Sequence, residues 1–161
     1  MDASPTLTNP WAGFEQFAER FRGITEYEGI AHFGANTYAG CLLIALSNAL
    51  RRFKSDIAAG EAWRSAPPSF NGYSVGRIIV AAANGYRHED EWAKAREMDD
   101  RQRRSREVIT GALAAQIAPN EGTGARCVEI VQLLSQGGYE VLANNVLGFA
   151  HNVALTEQAK S

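Results

Sequence analysis

Apolar residues recur along this chain at intervals of three and four, the period of one helical face turned to a core. Trp11, Phe14, Phe17 and Phe21 place four aromatic rings on one stripe, and Thr8-Asn9-Pro10 ahead of them supplies a cap and a proline at the first helical position. A second helix is expected from a cap at Asn36 to about Ala59, with Ala39, Leu42, Leu43, Leu46, Leu50, Phe53 and Ile57 as its apolar face and Gly60 as its stop. Ser74 can cap a third, in which Val75, Ile78, Ile79, Ala82 and Tyr86 are buried. Val108, Ile109, Leu113 and Ile117 form another apolar face before Pro119. Val128, Val131 and Leu134 are expected to face inward on the next helix, which Gly137-Gly138 closes. A last helix from about Tyr139 to Gln158 buries Leu142, Val146, Phe149 and Val153.

Between these segments the pattern breaks. Residues 23–35 carry three glycines without a clean period and are expected to be irregular, apart from at most one short helix. Arg64 to Gly72 contains Pro-Pro and Asn-Gly and reads as a loop. From Arg87 to Glu107 the charges alternate densely, as in a solvated helix broken near Asp99. Tyr139 to Leu142 is short enough to be a strand instead of a helical turn. The pattern as a whole predicts an all-α fold, a bundle of four to six helices with at most a minor strand. Residues 1–9 are expected to be a flexible N-terminal segment, and residues 10–158 a single helical domain.

Composition agrees with a folded domain: 161 residues, 45% hydrophobic and 21% charged, suffice for a core without disulfides or a structural metal. Cys41 and Cys127 each stand among apolar neighbours and read as reduced packing residues. The N-terminus lacks a basic and an apolar signal region, and no apolar run approaches a membrane span, so a cytoplasmic location away from membranes is expected. A net charge of −2 gives no global basic excess, so contact with a nucleic acid would need a local patch. Arg101, Arg103, Arg104 and Arg106 are a candidate patch for RNA phosphates, or else a solvated helix face.

The chain has no phosphate-binding Walker loop, His-Glu-x-x-His pair or Cys-x-x-Cys pair. Gly122-Thr123-Gly124 before a helix could present amides to a phosphate, although ordinary helix initiation uses the same residues. The segment from Ala83 to Trp92 carries more chemistry. On a continuous helix Arg77, Ala81, Asn84, His88 and Trp92 share one ridge, with Arg87 beside it. Imidazole exchanges protons near neutrality, guanidinium holds phosphate bidentately, and an amide can orient either, which are the groups that phosphodiester cleavage needs. The same residues can instead bridge helices, with Glu89, Asp90 and Glu91 as a solvated face. His88 and Glu91 could also face one metal, but no second Glu-x-x-His exists to complete a site, so neither metal nor cofactor is expected.

The Asn84-x-x-Arg87-His88 run, followed by acidic residues and Trp92, resembles divergent members of the HEPN superfamily. The resemblance covers roughly residues 74–95. It implies a four- or five-helix bundle, a homodimer, and metal-independent ribonuclease activity of the toxin-antitoxin or phage-defence kind. Active members place an Arg, a polar residue and then a His four to six positions after the Arg. His88 matches the histidine, Asn84 stands where the arginine is expected, and Arg87 and Arg77 fall outside that spacing. On this resemblance His88 is the general acid or base, Arg87 or Arg77 stabilises charge on phosphate, and Asn84 orients one of them. Two other readings follow from the same residues: a non-catalytic module that binds a partner protein, and a small-molecule enzyme with a pocket near His88, His151 and Asn152.

Overall fold

A computed structural model describes residues 9–25, 35–95, 97–118 and 121–160, and shows an all-α helical bundle. Six helices carry the fold: α1 (Pro10–Thr25), α2 (Ala35–Asp56), α4 (Val75–Arg87), α6 (Asp100–Leu113), α7 (Cys127–Ser135) and α8 (Tyr139–Gln158). Two short ones, α3 (Ala62–Ser65) and α5 (Glu89–Lys94), raise the number above the four to six expected. The expected flexible segment falls almost wholly outside the described residues, as do Pro119 and most of the irregular 23–35 stretch.

α4 is the central element, packed against α2, α6, α7 and α8. Its start follows the sequence rule. The Ser74 hydroxyl accepts from the Arg77 amide and donates to the Trp63 carbonyl, so one cap ties α4 to α3. Val75, Ile78, Ile79, Ala82 and Ala83 are then wholly or almost wholly buried. Gly76 lets α8 approach closely: a Cβ there would lie 2.5 Å from the Phe149 ring. α1 delivers Phe17 and Phe21 to the core, while Trp11 and Phe14 are half-buried around His151 of α8.

Several local expectations change. The expected 64–72 loop overlaps the end of α3 and carries β1 (Ser69–Phe70) and the turn of a hairpin completed by β2 (Tyr73–Ser74), paired Ser69 to Ser74 and Phe70 to Tyr73. Asn71 and Gly72 take positive φ (48° and 85°), the two-residue turn for which Asn-Gly is suited, and the Asn71 amide donates to the Ala112 carbonyl. α2 ends at Asp56, because Ala58 is left-handed, and Gly60 is not the stop. Asn36 lies inside α2 and reaches across to the Gly124 carbonyl and the Val128 amide. On α7 the buried residues are Cys127, Ile130 and Leu134, with Val128 and Val131 at the edge. Tyr139 to Leu142 is helical. Cys127 packs in the core, but Cys41 is exposed, and both thiols are free. No helix among the described residues is long and apolar enough to cross a membrane.

Candidate functional site

Where α2, α3, α4 and α6 meet, they enclose a cleft of about 720 Å³ whose polar lining is dominated by arginine. Arg51 comes from α2, Arg64 from α3, Arg77 from α4, and Arg101 and Arg104 from α6. Val80, Ala81 and Val108 form its apolar floor, Trp63 one wall, and Glu107 is the one carboxylate in the lining. Arg101 and Arg104 reach it together because they are three residues apart on α6, which Asp99 starts by accepting from the Gln102 amide at 2.7 Å.

Asn84 organises this cleft. It is 6% exposed, one turn before the end of α4, and its Oδ1 accepts from Arg51 Nη2 at 3.2 Å and from Arg101 Nη2 at 3.3 Å. One amide oxygen therefore holds two guanidiniums side by side. Partial burial, and then the nearby Arg87 and Arg101 charges, pull the Arg51 guanidinium below its ordinary value. Arg77 lies over the Tyr73 ring at 4.9 Å, which fixes its side chain without neutralising it. Among the described residues, Arg104 donates to the Asp100 carbonyl alone.

Carboxylates stand against other arginines of the chain. Arg20 and Arg52 lie against Asp56, Arg22 against Glu19, Arg103 against Asp100, and Arg126 against Glu121 and Glu129. Among the described residues, none of the five cleft arginines has such a partner. Five like charges on one concave surface repel one another, and an anion relieves that repulsion.

The structure divides the residues singled out in the sequence. Arg77, Asn84, Arg101 and Arg104 meet in the cleft, joined by Arg51 and Arg64, which sequence reasoning missed. Arg103 turns to Asp100 and the Met98 carbonyl. Arg106 is spent on the carbonyls of Ile117, Ala118 and Glu121. Arg87 is exposed and donates to Asn48 Oδ1 at 3.2 Å.

His88 does not line the cleft. α4 stops at Arg87, and His88 (φ −111°, ψ 15°) separates it from α5, so the expected continuous ridge bends there. The His88 ring stacks on Trp92 at 5.8 Å between centroids, and its Nδ1 is 2.9 Å from Glu91 Oε2. Among the described residues no third ligand joins that pair to make a metal centre. His151 packs edge-on against the rings of Trp11 and Phe14, and Asn152 donates to the Pro67 carbonyl, so neither shares the cleft or the surroundings of His88.

No family model matches the chain, and neither a curated protein nor a solved structure does so.

Proposed function

We propose that this chain binds RNA through its phosphate backbone in the arginine cleft and cleaves the bound strand without a metal. The cleft supports this reading: five guanidiniums from four helices converge, with none held by a carboxylate among the described residues. Guanidinium matches phosphate in shape and donor geometry and keeps its charge at any physiological pH. Five cations exceed what one phosphate monoester neutralises, whereas successive phosphodiesters supply charge along a path. Contacts of this kind position a strand without reading its sequence.

The cleavage step is assigned to His88. Glu91 holds Nδ1, which leaves Nε2 as the basic nitrogen. That nitrogen takes the proton of a ribose 2'-hydroxyl as its oxygen attacks phosphorus. The bond from phosphorus to the 5'-oxygen breaks, that oxygen takes a proton from solvent, and a 2',3'-cyclic phosphate and a 5'-hydroxyl result. Because His88 stands outside its own cleft, this reading includes a homodimer in which His88 of one copy serves the strand held by the other.

The non-catalytic alternative draws on that same placement: a cleft without His88 is a sufficient binding surface. A 5'-labelled RNA incubated with the protein in EDTA separates the readings. Binding with cleavage to cyclic-phosphate ends, lost in His88→Ala, is the expected result. Binding without cleavage leaves a binding module, and no binding removes the proposal. Mixing His88→Ala with Arg101→Ala tests the dimer, since a mixed dimer retains one intact composite site.

A further inference from the structure

The five cations of the cleft are not spread evenly. Arg51 and Arg101 stand together, because each donates to the same Asn84 oxygen. Arg77 leaves α4 two turns earlier, about 10 Å along the axis at ~1.5 Å per residue, and its guanidinium is drawn over the Tyr73 ring, away from Asn84. Arg64 belongs to that same end, since it follows Trp63, whose carbonyl accepts from the Ser74 hydroxyl at the start of α4. α6 runs from one end to the other, with Arg101 at Asn84 and Gly111 against the Tyr73 ring, so Arg104 falls between them.

The Asn84 end is a seat made of donors. Arg51 and Arg101 each spend one N–H on Oδ1 and have no other partner among the described residues. With Oδ1 committed to them, the Asn84 amide nitrogen is the group left over. Nδ2 has no hydrogen-bond partner among the described residues and, unlike the Ser47 and Thr123 hydroxyls, is not sealed from solvent. Three donor groups, from α2, α4 and α6, therefore share one stretch of the cleft wall, and two of them are charged. Burial, and then the Arg87 and Arg101 charges, already depress the Arg51 guanidinium, so a dianion relieves more repulsion here than a monoanion does. A phosphodiester brings two charged oxygens and a single negative charge. A phosphomonoester brings three oxygens and a charge of about −1.5 to −2 at neutral pH, which matches three donor groups and two cations.

We infer that this seat holds the terminal phosphomonoester of the RNA, so that the cleft takes a strand by its phosphorylated end. The following phosphodiesters then pass Arg104 towards Arg77 and Arg64. The inference rests on the RNA reading and adds to it which part of a strand the cleft selects.

Fluorescence anisotropy with a short single-stranded 2'-O-methyl RNA, which has no free 2'-hydroxyl and so stays intact, tests it. One sequence, with the dye placed inside the strand, is prepared with a 5'-phosphate, with a 3'-phosphate and with hydroxyls at both ends. One phosphorylated form should bind about tenfold or more tighter than the hydroxyl form, and its identity assigns the 5' or the 3' end. Arg51→Ala and Arg101→Ala should erase that difference. Arg51→Lys, which keeps the charge but not the fork of donors, should reduce it even if the alanine variants fold poorly. Arg77→Ala should weaken all three forms by one common factor and keep the difference. Equal affinity of the three forms, or a difference that survives both alanine variants, overturns the inference while the RNA reading stands. Failure of all three to bind removes the RNA reading and the inference with it. A nucleoside monophosphate that competes as strongly as the phosphorylated strand also overturns the inference, by assigning the seat to a free nucleotide.

Discussion

Asn84→Asp is expected to raise the stability of the free protein while weakening its grip on RNA. The substitution changes one amide for a carboxylate of nearly the same shape, at a position where Oδ1 already accepts from Arg51 at 3.2 Å and Arg101 at 3.3 Å. Each new ion pair gains about 1–4 kcal/mol of Coulomb energy at ~4 Å, for effective dielectric constants of roughly 80 down to 20. Desolvation of a carboxylate at a 6% exposed position offsets much of that gain. A net stabilisation of about 1 kcal/mol is expected, a rise in Tm of roughly 2–4 °C for a domain of this size. Two adjacent guanidiniums hold the new carboxyl's pKa below its unfolded value. The gain is therefore present at neutral pH and lost as pH falls through the folded pKa.

Binding should move the other way. The new carboxylate occupies the two guanidiniums that a phosphate would use and repels the phosphate itself. Loss of charge-assisted contacts worth about 1.5–3 kcal/mol corresponds to Kd weakened by about 10- to 150-fold. Fluorescence anisotropy with a labelled single-stranded RNA measures this, beside thermal unfolding of the same samples. If Asn84→Asp folds and binds RNA as tightly as the unaltered protein, Asn84 does not stand at the phosphate site and the reasoning fails.

His88→Ala should abolish cleavage while RNA affinity stays within about twofold, as gel analysis and anisotropy on one preparation would show, because His88 lies outside the cleft. Loss of binding in this variant would contradict that separation. Gly76→Ala forces a methyl to within 2.5 Å of the Phe149 ring and 2.9 Å of Trp63, and should cost about 1–3 kcal/mol in urea unfolding; no loss would mean that α8 moves away freely. Burial, then the nearby Glu89 and Cys41, push the Cys127 thiol up to about 12, so iodoacetamide at pH 8 should label exposed Cys41 alone in the folded protein. The sign for stability follows. Folded Cys127 keeps its proton above the ordinary value of 9.0, so its contribution is complete below about pH 9 and declines as pH rises towards 12, seen as a falling Tm.

The helices were legible because burial repeats at their own period. The Phe17 and Phe21 stripe, the Leu42 to Phe53 face and the Ser74 cap are local patterns, and they occupy the core as expected. The site was legible only in part. Arg77 and Asn84 share a ridge of α4 and Arg101 and Arg104 a face of α6, so helical spacing singled out these four. Arg51 and Arg64 join them through the packing of α2 and α3 on α4, which no local pattern encodes. Arg106 has the same charge and nearly the same neighbours as Arg104, yet one-half turn around α6 it meets three carbonyls instead. The ridge to His88 failed as a continuous surface because α4 ends at Arg87. Cys41 followed its apolar neighbours in sequence, but it faces solvent because α2 buries only one side.

The salt dependence of RNA binding tests the arginine cleft most directly. Log Kobs against log salt should lose a slope of about 0.7 for each cleft arginine removed, in Arg51→Ala, Arg101→Ala and the double variant. Arg103→Ala, whose guanidinium is held by Asp100 outside the cleft, should leave slope and affinity unchanged. Equal slopes in the cleft variants and the unaltered protein, or an equal loss in Arg103→Ala, would contradict the account.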